Sequence, residues 1–152
     1  MENERKTDRS ADMGMDEHRL SDILLASQIK ATDIYETPPQ IIWIDNSTIA
    51  TLGNFSASTG KAKSKKTFNV SALVAASLAG KQVLNYRAHL PEGKQRILYV
   101  DTEQSRFHCR SVLERILRLA GLPTTTDPEN LDFFCLREYS PSVRVEVIDY
   151  AL

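Results

Sequence analysis

The sequence predicts an α/β fold: a partial parallel sheet flanked by helices, preceded by a small β-hairpin. Three observations carry this. From Asn54 onward, strand-like and helix-like segments alternate, which implies right-handed βαβ units and a parallel sheet. The run Ile97-Leu98-Tyr99-Val100 is continuously apolar, as suits a parallel strand buried on both faces. Two β-rich runs, 41–44 and 48–52, bracket the turn residues Asp45-Asn46-Ser47 and read as a hairpin.

Composition sets the outer bounds. The chain has 152 residues, 41% hydrophobic and 26% charged, which fits one globular domain and excludes a collagen-like or wholly disordered chain. Nineteen basic and twenty acidic side chains nearly cancel, so no global field draws nucleic acid or an anionic membrane. No apolar stretch is long enough to span a bilayer, and the polar, mixed-charge start is not a signal peptide. Two cysteines make no disulfide framework, so a cytoplasmic, reducing setting is expected.

Taken in order, residues 1–19 read as a disordered polar tail, because alternating acids and bases with almost nothing apolar cannot offset chain entropy. A short helix is expected over 21–30, capped by Ser21 or Asp22, with Leu20, Ile23, Leu24 and Ile29 sharing a face. Pro38-Pro39 forces an extended turn before the hairpin. Phe55-Ser56-Ala57-Ser58 reads as a weak strand, residues 60–66 as a loop, and 67–79 as a helix ended by Gly80. Its many small residues suit tight packing against a sheet. Residues 81–95 are expected to be a polar connection. A strand over 97–101 then leads to an amphipathic helix over 105–120, stopped by Gly121 and Pro123. A strand over 131–136 follows. Ser140-Pro141 supplies an N-cap and a first-turn proline for the last helix, which runs to Leu152. That helix ends the chain where a further strand would be expected, the pattern of a truncated gene product.

The chemistry concentrates in Gly60-Lys61-Ala62-Lys63-Ser64-Lys65-Lys66-Thr67. Against the phosphate-binding pattern G-x-x-x-x-G-K-[ST] it matches at Gly60, Lys66 and Thr67, and Lys65 stands in place of the second glycine. A loop between strand and helix turns backbone N–H groups toward an anion, and the helix start adds positive potential. Gly60, Ser64, Lys65, Lys66 and Thr67 are therefore the candidate cofactor-binding residues. Lys66 would reach the β- and γ-phosphates of ATP, and Thr67 would hold Mg²⁺ through its hydroxyl. A second register, with Gly60-Lys61 as the G-K pair, loses the first glycine to Phe55 and the hydroxyl to Ala62. The same octapeptide would also suit a solvated lysine-rich turn or a basic patch.

Asp101-Thr102-Glu103 follows the strand over 97–100. Ligands of doubly wound sheets sit beyond the carboxyl ends of the strands, so a carboxylate here could polarise water for attack on a γ-phosphate. An acid after a strand also commonly caps the next helix, and Asp101 or Ser105 could do so.

The stretch from Gly53 to Phe68, followed by Ile97-Leu98-Tyr99-Val100-Asp101-Thr102-Glu103-Gln104-Ser105, resembles the RecA-like AAA-type ATPases related to the plasmid hexameric helicase RepA. Within that group it is most similar to proteins carried by mobile elements of Bacteroides-type bacteria. The resemblance covers roughly residues 32–152. It implies a RecA-like P-loop fold and ATP binding by Gly60, Lys66 and Thr67. It matches Glu103 to the catalytic acid that activates water. It also implies a link to DNA unwinding, replication or mobilisation, and a homo-oligomer. In the family a helix like 142–152 leads into the Walker B strand, whose aspartate completes Mg²⁺ coordination. The expectation is thus the N-terminal part, residues 20–152, of such a domain.

Other constellations are weaker. His18, His89, His108, Cys109 and Cys135 lack zinc spacing, and the cysteines read as small core residues. No nucleophilic triad or G-x-S-x-G occurs. Trp43 and Tyr35 read as core, or as neighbours of a nucleotide base. Arg106, Arg110, Arg115 and Arg118 read as a solvated helix face. A second function class remains open: a non-catalytic module that binds DNA or a partner through Lys61, Lys63, Lys65 and Lys66, with steep salt dependence.

Overall fold

The computed structural model describes residues 10–61 and 64–152. It divides into two units, one ending at Thr37 and one spanning Pro38–Leu152. In the first, α1 covers Ser10–Ser27. The helix therefore includes much of the segment expected to be a tail, and stops short of Lys30; residues 1–9 lie outside the described part. Charge alone misled here: Glu and Arg have good helix propensity, and His18 and Asp22 stand 3.5 Å apart one turn on. Leu20, Ile23 and Leu24 are exposed, so burial of that apolar face is not what forms the helix. After it, Asp33 Oδ2 accepts the Lys30 N–H at 2.8 Å and the Tyr35 hydroxyl at 2.9 Å.

The second unit is mixed α/β with two small sheets. β1 (Gln40–Ile44) and β2 (Ser47–Thr51) form the expected antiparallel hairpin. β3 (Tyr86–Ala88) pairs antiparallel with the other edge of β1, giving the order β2-β1-β3. Ile42 faces Ala88 and Ile44 faces Tyr86, which aligns apolar side chains toward the core. β3 lies inside the segment expected to be a polar connection. Three residues, Tyr-Arg-Ala, alternate buried-exposed-buried, too briefly to register as a period. Conversely, no strand forms over 55–58. Phe55 is 94% exposed, and the segment is tied to the hairpin by Ser56 Oγ donating to Ile49 O at 2.5 Å. One large apolar residue among small polar ones gives this stretch nothing to bury.

β4 (Ile97–Asp101) and β5 (Leu131–Cys135) pair in parallel and unbroken register, from Ile97 opposite Leu131 to Asp101 opposite Cys135. α3 (Arg106–Ala120) connects them, so the βαβ expectation holds for this pair while the other strands are antiparallel. Tyr99 stacks on its register partner Phe133 with centroids 4.3 Å apart. β4 is not buried on both faces. Ile97 and Tyr99 pack against the core, while Leu98 and Val100 point to the opposite face and stay half-buried.

The core forms around α2 (Lys66–Ala79). Ala72, Ala75 and Ala76 are fully buried, and their small side chains let α2 lie close to both α3 and β3. Val112, Ile116 and Ala120 of α3 and Tyr86 and Ala88 of β3 complete that cluster. The two buried serines of α2 bond back along the helix, Ser71 to Thr67 O at 2.7 Å and Ser77 to Leu73 O at 3.1 Å. Gly80 and Gly121 take the left-handed conformations expected of the residues that end α2 and α3. α4 (Pro141–Ala151) starts after Ser140 as expected and buries none of its residues. It is held by Arg144, which donates to Leu136 O at 3.0 Å and Arg137 O at 2.8 Å. Among the described residues no helix is long and apolar enough to cross a membrane.

Candidate functional site

The lysine-rich loop runs into the first turn of α2. Lys65 immediately precedes the helix with φ 62 and ψ 23. This is the left-handed region, which glycine enters without cost and lysine does not. The position where the phosphate-binding pattern has glycine thus keeps the backbone that glycine would supply, although its residue is lysine. Lys66 Nζ turns back across the loop and donates to Gly60 O at 2.6 Å and Lys61 O at 3.1 Å. Gly60 lies close to Ser64: a Cβ there would stand 2.6 Å from Ser64 Oγ, so that hydroxyl would have to turn aside. The Lys65 carbonyl accepts from Phe68 N at 3.0 Å and Asn69 N at 3.1 Å, which starts the helical ladder. The N–H groups of Lys66 and Thr67 precede that ladder and, among the described residues, have no acceptor. Gly60, Ser64, Lys65, Lys66 and Thr67 are therefore brought together by one turn of chain. Lys63, the remaining lysine of the basic patch, lies outside the described residues.

This set fits a phosphate chain. It presents an ammonium bonded to two loop carbonyls, first-turn amides at a helix N-terminus, and a half-buried Thr67 beside them. Lys65→Gly is expected to stabilise the chain by about 0.5–1 kcal/mol, because relief of the left-handed strain exceeds the extra chain entropy of glycine. A thermal midpoint raised by roughly 2 °C would show it, and a lowered midpoint would contradict the strained loop.

The second constellation follows β4. Asp101 is buried, and its carboxylate organises the turn after it. Oδ1 accepts the N–H of Glu103 at 2.9 Å and of Gln104 at 2.7 Å, and Oδ2 accepts Gln104 Nε2 at 2.9 Å. Asp101 thus braces the 101–104 turn and does not cap α3. Ser105 occupies the cap position with no side-chain bond to the helix backbone, and its hydroxyl instead meets His108 Nδ1 at 2.8 Å. Glu103 is exposed on this fixed turn, and among the described residues it makes no hydrogen bond or ion pair with the lysine loop. Gln104 was not legible as a functional residue. Its role depends on which groups converge on it in space, and its neighbours in sequence carry no sign of that.

The cysteines meet at the same turn. Cys135 Sγ lies 3.4 Å and Cys109 Sγ 3.8 Å from Gln104 O. Burial, and then a hydrogen bond to Cys135, push the Cys109 thiol up to about 12. Trp43 is half-buried on the sheet face away from the core, with the Arg87 guanidinium 4.8 Å over its ring and its N–H donated to Gln40 Oε1 at 3.1 Å. Tyr35 is exposed rather than core. Arg110 and Arg118 both pair with Glu114, which accounts for half of the expected arginine face, and Arg115 is half-buried. Among the described residues no cluster of three or more metal-ligating side chains occurs. No family model, no curated protein and no solved structure matches this chain.

Proposed function

We propose that this chain is the ATP-binding domain of a RecA-like P-loop ATPase serving DNA unwinding, replication or mobilisation of a mobile element. One observation carries the reading: Lys65 adopts the left-handed backbone of the missing glycine while Lys66 Nζ is drawn over the loop to Gly60 O. A phosphate cradle would use this turn, because it leaves the first amides of the helix without acceptors beside the loop that Lys66 spans. In this reading Lys66 exchanges its carbonyl partners for β- and γ-phosphate oxygens. The amides of Lys66 and Thr67 bind phosphate oxygens, and Gly60 leaves room for them. The Thr67 hydroxyl holds Mg²⁺, which supplies charge neutralisation at the phosphates. Glu103, on the turn braced by Asp101, accepts a proton from the attacking water.

Glu103→Gln tests the assignment of roles. ATP turnover is expected to fall by about 100-fold or more while ATP affinity stays within about twofold, as removal of a general base alone should do. Equal turnover in wild type and variant would remove Glu103 from the mechanism and leave the phosphate loop standing. The competing reading, a basic module for DNA, draws support from the exposed Lys61 and Lys65 of one loop. It requires DNA affinity that drops steeply with salt and ignores ATP.

A further inference from the structure

We infer that Cys109 and Cys135 form an oxidisable dithiol, which a hydroperoxide converts to a disulfide that loosens the turn carrying Glu103. The two residues come from different elements, α3 and the end of β5, and line one cavity. Both sulfurs also converge on one carbonyl, that of Gln104.

Access is provided as well. Both cysteines line an open cavity of about 360 Å³, along with Arg106, Arg110, Phe134 and Tyr139. Its volume admits a small peroxide. Cys135, the less buried of the pair, is the first nucleophile. Its thiolate attacks a peroxide oxygen, so an S–O bond forms, the O–O bond breaks, and the released hydroxide is protonated to water. Cys109 is 4% exposed, so it meets the peroxide less readily and resolves the intermediate rather than reacting first. Its sulfur attacks the Cys135 sulfenic sulfur; the S–S bond forms, the S–O bond breaks, and hydroxide leaves with the Cys109 proton as water. Two thiols and one hydrogen peroxide become one disulfide and two waters.

The consequence reaches the turn through Gln104. Oxidation removes the thiol hydrogen from the Gln104 carbonyl, and the same residue's amide and side chain hold Asp101. Any effect on hydrolysis rests on the ATPase reading above. The oxidation and the loosening do not.

The test uses the full chain treated with hydrogen peroxide at a dose that fully oxidises free cysteine. Intact mass is expected to fall by the mass of two hydrogens, peptide mapping to give a Cys109–Cys135 linked peptide, and dithiothreitol to reverse both. Cys135→Ser should abolish the mass loss and leave Cys109 unmodified, and Cys109→Ser should let oxygen accumulate on Cys135. Backbone hydrogen exchange at Glu103 and Gln104 is expected to become severalfold faster in the oxidised wild type. Unmodified thiols, or oxygen gained at Cys135 of the wild type without a linked peptide, would overturn the dithiol. Unchanged exchange across 101–105 in a linked chain would overturn the coupling. Loss of ATPase activity in reduced protein bears only on the earlier reading.

Discussion

Lys66→Ala is expected to weaken ATP binding by roughly 10- to 100-fold, the equivalent of the 1.5–3 kcal/mol that a charged hydrogen bond contributes. The side chain touches nothing that the core depends on. Its partners are two loop carbonyls, Gly60 O and Lys61 O, so its removal frees the loop without opening a cavity. The fold should therefore survive, with a thermal midpoint within a few degrees of wild type. Equilibrium dialysis with labelled ATP measures the affinity, and circular dichroism checks the fold. Lys61→Ala is the matched control, since Lys61 engages the loop only through its backbone carbonyl. Equal losses in both variants would signal a diffuse basic patch in place of a directed lysine.

The second large effect is on stability. Ile116→Ala should cost about 3–4 kcal/mol, because Ile116 is fully buried in the middle of α3 and its neighbours can only partly collapse into the void. That is a large share of the 5–15 kcal/mol typical of a domain, so the midpoint should drop by roughly 10 °C. Leu98→Ala, on β4, should cost less, about 2 kcal/mol by the same reasoning, since that side chain is partly rather than fully buried. Denaturant melts of both variants measure the contrast. Similar losses would mean that the core does not centre on the contact of α2 with α3.

These expectations show which parts of the molecule its sequence makes legible. The elements with a strong local signal appear where they should: the hairpin around Asp45-Asn46, the amphipathic α3 with Gly121 behind it, and α4 opened by Ser140-Pro141. What failed was decided by neighbours in space. Tyr86–Ala88 becomes a strand because β1 offers an edge and α2 a surface, while Phe55–Ser58, which looks more strand-like, finds no edge. The parallel run over 97–100 is only half-buried on both faces, a fact of packing that apolarity cannot reveal. At the candidate site, the octapeptide was legible as a pattern with a substitution. Whether lysine at position 65 would keep the glycine backbone was not, because φ belongs to the folded turn and residue types alone do not give it. The bracing of Glu103 by Asp101 and Gln104 was equally hidden, since a cap and a brace look alike in one dimension.

The most direct test of the phosphate loop is a calorimetric titration of the folded wild-type chain with ATP in the presence of Mg²⁺. A saturable, single-site binding heat whose affinity Lys66→Ala lowers by roughly 10- to 100-fold is the result this account predicts. A chain folded by circular dichroism that gives no heat and no thermal stabilisation at millimolar ATP would contradict it, and would leave the lysine loop as a basic surface.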